Sequence, residues 1–60
     1  MKTILVDFER ISPTALERIV LNAFPQAECR WRQFDQDSYE MSVYWVRDLA
    51  MLEDVLAEWV

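Results

Sequence analysis

Apolar and polar residues alternate from Lys2 to Glu9, with Ile4, Val6 and Phe8 on one side and Thr3, Leu5, Asp7 and Glu9 on the other. A period of two predicts a half-buried strand. Ser12 followed by Pro13 marks a helix start, because a Ser hydroxyl accepts from free N–H groups and the Pro ring is preset for the first helical position. Ile11 and Leu16 stand at the two positions of a hydrophobic staple. Leu16, Ile19, Val20, Ala23 and Phe24 then recur with the spacing of an amphipathic helix, which Pro25 stops near Phe24.

Residues 27–34 alternate Ala27, Cys29 and Trp31 against Glu28, Arg30 and Arg32, a second strand, with Phe34 breaking the pattern as a bulge would. Asp35, Gln36, Asp37 and Ser38 have turn composition. From Tyr39 to Val46 the sides are Tyr39, Met41, Val43 and Trp45 against Glu40, Ser42, Tyr44 and Val46. This third strand closes a hairpin, and being apolar on both sides it suits the centre of a sheet. Asp48 is placed to cap a last helix whose buried stripe is Leu49, Leu52, Val55, Leu56 and Trp59.

The order β-α-β-β-α with a right-handed crossover puts the third strand between the first two, antiparallel to both. The expected fold is α+β: a three-stranded antiparallel sheet of order 1-3-2 with both helices on one face, a ferredoxin-like unit without its fourth strand. Its open face would carry Leu5, Arg30, Arg32, Tyr44 and Val46. Sixty residues make a single compact domain, 1–60, of marginal stability. More than half of them are apolar, which excludes a disordered acidic tail.

Charge changes the picture. Residues 33–60 hold seven acids against one base, Arg47, whereas the first 32 residues are nearly balanced. Such a surplus repels nucleic acid and anionic membrane and draws basic surfaces where screening is incomplete. Two patches are expected: the hairpin turn with Asp35, Asp37 and Glu40, and the outer face of the last helix with Glu53, Asp54 and Glu58. Asp54 and Glu58 form a like-charge i,i+4 pair, and Glu58 stands where the helix dipole disfavours an anion, so local stability would have favoured Lys or Arg. A solvated helix face is the plain alternative.

Catalytic chemistry finds little support. The chain has no Gly and no His, which removes phosphate-cradling loops, the commonest general base and the commonest metal ligand. Asp35 to Glu40 has oxygen ligands at alternate positions, but lacks the bend glycine and the distal Glu of a calcium loop. Paired carboxylates for glycoside hydrolysis would need a cleft that so short a chain hardly provides. Cys29, alternating with Trp31, reads as a buried structural thiol, and its being the single Cys fits a reducing cytosol. Arg30 and Arg32 are better suited to cross-strand pairing with Glu40 or Ser42 than to nucleic acid. Trp31, Trp45 and Trp59 read most simply as core aromatics, with one of them as an exposed binding anchor the alternative. No enzyme, cofactor or metal is expected, nor a signal peptide or membrane span.

A compact acidic unit from Met1 to Val60 with this β-α-β-β-α build resembles the small phage-encoded anti-CRISPR proteins that act on type I surveillance complexes as DNA mimics. The resemblance implies a stoichiometric inhibitor in the bacterial cytoplasm, monomeric rather than dimeric, whose acids stand where phosphates would lie in a basic DNA-binding groove. Its partner would be a basic nucleic-acid-binding protein such as a surveillance-complex subunit, with no direct contact to nucleic acid or membrane. The alternative is an interaction module that dimerises or binds a partner through the open sheet face, with Tyr44 and Val46 as contacts.

Overall fold

A computed structural model describes all residues from Met1 to Val60. Its elements are β1 (Lys2–Asp7), α1 (Pro13–Ala23), β2 (Glu28–Gln33), β3 (Ser38–Tyr44) and α2 (Leu49–Leu56). The sheet has the order β1-β3-β2 with both pairings antiparallel, so the α+β topology expected from the hydrophobic pattern is the one observed.

Local chemistry explains the element ends. Ser12 Oγ accepts from the Ala15 N–H at 3.2 Å, and Pro13 occupies the first turn of α1. This is the cap that the Ser-Pro pair predicts. Asp48 Oδ1 accepts from the Met51 N–H at 3.0 Å and caps α2 in the same way. Pro25 follows α1, whose final cap is the bond from the Phe24 N–H to the Val20 carbonyl at 2.8 Å.

The core consists of Ile4 and Val6 from β1, Tyr39, Met41 and Val43 from β3, Leu16, Val20 and Phe24 from α1 and its cap, and Leu52 and Leu56 from α2. Ile11 packs against this cluster, completing the staple with Leu16. Phe8, Trp31 and Tyr39 extend it as an aromatic trio with centroids 5.0 to 6.4 Å apart, inside the range where tilted and edge-on rings attract. The buried Tyr39 hydroxyl donates to the Ile11 carbonyl at 2.9 Å and so ties β3 to the entry of α1. Burial pushes the Tyr39 phenol up from its ordinary pKa.

Several local expectations are corrected. β3 ends at Tyr44, and Trp45 takes a left-handed backbone conformation at φ 68°. One left-handed residue breaks the alternation, so Trp45 turns outward and is 72% exposed while Val46 packs on the core. Trp45 is therefore not a core aromatic, and Val46 is not on the open sheet face. Trp31, at the edge strand, is half-exposed with its ring packed on Phe8 and Tyr39, and Trp59 sits against the core. Phe34 is the first residue past β2, and its N–H and that of Asp35 both donate to the Ser38 carbonyl, at 3.0 and 3.2 Å, the two-on-one sharing by which a bulge is recognised. Leu49, in the first turn of α2, is exposed instead of belonging to the buried stripe. Glu58 lies beyond α2 in the turn that the Trp59 N–H closes on the Leu56 carbonyl.

A left-handed conformation costs a non-glycine residue about 1–2 kcal/mol, and little of the Trp45 side chain is buried in return. Trp45→Gly is therefore expected to stabilise the fold by up to about 1 kcal/mol, after allowing for the greater chain entropy of Gly. In a domain of this size the melting temperature should rise by several degrees. A thermal melt that drops instead would show that the indole supports the loop.

Candidate anionic interface

The hairpin turn is built by one of its acids. Asp35 Oδ1 accepts from the Asp37 N–H at 2.8 Å, the Ser38 N–H at 2.9 Å and the Ser38 hydroxyl at 2.8 Å. Three donors on one carboxylate favour its charged form, and the Ser38 hydroxyl contributes most to holding the Asp35 pKa below the ordinary range. The sign follows from linkage. A carboxyl whose folded pKa is depressed contributes stability that is present above its unfolded value and lost as pH falls through the folded one. Urea midpoints measured from about pH 5 downward should fall for the wild type, and Asp35→Asn should make that fall shallower. Equal slopes would remove Asp35 from the account.

Asp37 is exposed and has no ion pair, and its carbonyl accepts from the Phe8 N–H at 2.9 Å. That bond sets the turn after β1 beside the hairpin turn, so Asp7 and Glu9 join Asp35 and Asp37 at one end of the sheet. Asp7 and Glu9 are not among the acids singled out from the sequence, because they belong to the half whose charge is balanced. The signal that finds them is the strand order: an antiparallel β1-β3 pair must bring the end of β1 to the start of β3.

Glu40 does not belong to this end. It stands directly across from Arg32 on the open sheet face and accepts from Arg32 Nε at 2.7 Å, the cross-strand pairing the alternation predicts. Arg30 donates to Glu28 at 2.8 Å, an interaction that raises the Arg30 pKa further. Thr3 and Ser42 share a hydroxyl bond of 3.0 Å between β1 and β3. The open face, with a depression of about 410 Å³ between Thr3, Arg30, Arg32, Glu40, Ser42 and Tyr44, is thus largely satisfied within itself.

On α2, Glu53 accepts from Lys2 Nζ at 3.2 Å, whereas Asp54 and Glu58 are exposed without an ion pair. Lys2 and Asp7 mark opposite ends of β1, five steps of about 3.3 Å apart. Glu53 is therefore held at the end of the sheet away from Asp37, and Glu40 faces away from the helices. The six acids Asp35, Asp37, Glu40, Glu53, Asp54 and Glu58 do not converge on one surface.

Three ion pairs occupy Lys2, Arg30 and Arg32, half of the six bases. Exposed pairs of this kind contribute only about 0–1 kcal/mol to stability. Their larger consequence is to leave the acidic end opposed by Arg10 alone among residues 7–10 and 34–38.

Cys29 is half-buried, and burial, followed by the nearby Glu17, raises its thiol pKa, which disfavours the thiolate a nucleophile requires. No group of three His, Cys, Asp or Glu is placed to hold a metal ion. No buried side-chain polar atom lacks a hydrogen-bond partner, and no helix is long and apolar enough to cross a membrane. Comparison with family models, with curated proteins and with solved structures gives no match.

Proposed function

We propose that the chain is a non-enzymatic inhibitor that occupies a basic nucleic-acid-binding surface, with the sheet end carrying Asp7, Glu9, Asp35 and Asp37 as its primary contact. The observation that carries this proposal is the joining of two acidic turns by the Phe8–Asp37 bond in a chain half of whose six cations are taken up by ion pairs elsewhere. Carboxylates fixed on adjacent turns present a constrained set of negative charges, as a short stretch of phosphate backbone does. Asp54 and Glu58 add a second anionic strip. The partner implied by the resemblance to anti-CRISPR proteins is a DNA-binding subunit of a type I surveillance complex.

Pull-down from a bacterial lysate at low and high salt, with mass spectrometry of the eluate, tests the proposal. The expected capture is a nucleic-acid-binding protein that both added salt and competing duplex DNA release. A partner retained in high salt and indifferent to DNA would overturn the proposal.

A further inference from the structure

The free edge of β1 is a row of backbone groups with unmet hydrogen-bonding capacity. β1 has a neighbour on one side only. The Phe8–Asp37 bond belongs to the same register as Val6↔Tyr39, Ile4↔Met41 and Lys2↔Val43. Bonded and non-bonded residues alternate along an antiparallel pair, so the backbone groups of Thr3, Leu5 and Asp7 point away from the sheet. The Asp7 carbonyl is used by the Arg10 N–H at 3.0 Å. The N–H and C=O of Thr3 and Leu5, and the N–H of Asp7, have no partner.

Folded proteins usually guard such an edge with proline, a bulge or charged side chains. β2, the other edge, carries Glu28, Arg30 and Arg32. β1 has no guard between Lys2 and Asp7, and at its centre Leu5 is 51% exposed on a face that is otherwise mainly polar.

We infer that β1 pairs antiparallel with β1 of a second copy about a two-fold axis at Leu5, joining two three-stranded sheets into one of six strands. Two features select a second copy. The edge is self-complementary: with Leu5 opposite Leu5, Thr3 of each copy falls opposite Asp7 of the other, and the outward donors and acceptors meet in pairs. The charges match, because antiparallel pairing sets Lys2 of each copy beside the acidic Asp7–Glu9 turn of the other, whereas parallel pairing would stack the acidic ends. A groove of about 400 Å³ runs between β1 and α2, lined by Lys2, Ile4, Glu53, Leu56, Ala57 and Val60. The same axis sets the two grooves at opposite ends of the β1–β1 seam, each beside the Val6–Phe8 end of the other copy, so they take no part in selecting the occupant. The β1 edge thus argues for a dimer where the resemblance implies a monomer. The inference does not rest on the acidic end having a partner.

Chemical synthesis of the full chain with N-methyl-Leu5 removes the central outward donor without touching the side chain or the β1–β3 bonds. Sedimentation from low micromolar to millimolar concentration should show the wild type passing from monomer to dimer. The N-methylated chain, with an unchanged circular dichroism spectrum, should dimerise at least about tenfold more weakly, since two symmetric backbone bonds are lost. Tyr44→Lys on the open face should leave the dimer intact. A wild type that stays monomeric throughout, a dimer indifferent to N-methylation, or one broken by Tyr44→Lys would each overturn the inference.

Discussion

Leu16→Ala is expected to leave much of the chain unfolded at room temperature. Leu16 is fully buried, and it closes the staple with Ile11 that sets the entry of α1 against the sheet. Truncating a buried Leu removes its transfer free energy and opens a cavity that neighbours fill only in part, a loss of about 2–5 kcal/mol. A domain of this length has a total stability of about 3–9 kcal/mol at the usual per-residue value. The two ranges overlap, and the core offers few spare contacts, because only ten apolar residues are buried. Urea denaturation followed by circular dichroism measures the loss. Leu49→Ala, on the exposed first turn of α2, should shift the midpoint by about 0.5 kcal/mol or less. A Leu16 variant as stable as the Leu49 variant would show that the core repacks around the deletion.

The contrast between Leu16 and Leu49 shows what the sequence makes legible. Periodicity identifies a helix and its apolar side, and the caps at Ser12 and Asp48 locate its start, because both signals are short-range physics. Periodicity does not say which turns of a helix its neighbours cover, and Leu49, in the first turn of α2, is left exposed. Trp45 carries the same lesson within β3. Alternation extrapolates through residue 46, but a single left-handed residue reverses the faces, and with no Gly to mark the site nothing local announces it. A β-prone Trp in a conformation that disfavours it is a conflict between local preference and structure, of the kind that concentrates at functional positions.

The candidate interface was legible in its charge and not in its shape. The acids of the hairpin turn were evident, yet Asp35 is consumed in building the turn, Glu40 by Arg32 and Glu53 by Lys2. Cross-strand partners follow from register, which the turn sets and composition does not. The Lys2–Glu53 contact spans nearly the whole chain and follows only from tertiary packing. Asp7 and Glu9 enter through topology: a division of the chain into halves by charge separates residues that an antiparallel sheet returns to one another.

Charge reversal at the acidic end should abolish partner binding while leaving the fold intact. The variant to make is Asp7→Lys, Glu9→Lys and Asp37→Lys together, since none of these side chains forms an ion pair. Asp35 is left alone because its loss would open the turn and confuse binding with folding. Each reversal removes an attraction to a basic surface and substitutes a repulsion, costing on the order of 1 kcal/mol or more, so the triple variant should bind at least about a hundredfold more weakly. The logarithm of wild-type affinity should also fall with the logarithm of salt concentration, as it does for proteins that displace counterions from phosphates. Asp54→Lys with Glu58→Lys forms the comparison on α2, and Glu53 is excluded because a Lys there would face Lys2. If the α2 pair abolishes binding and the sheet-end triple does not, the contact lies on the helix side. If neither changes affinity, the anionic surface serves solvation and the inhibitor proposal fails. Melting temperatures of both variants decide whether a loss of binding is a loss of contact, since reversing unpaired exposed charges should shift stability by about 0.5 kcal/mol or less.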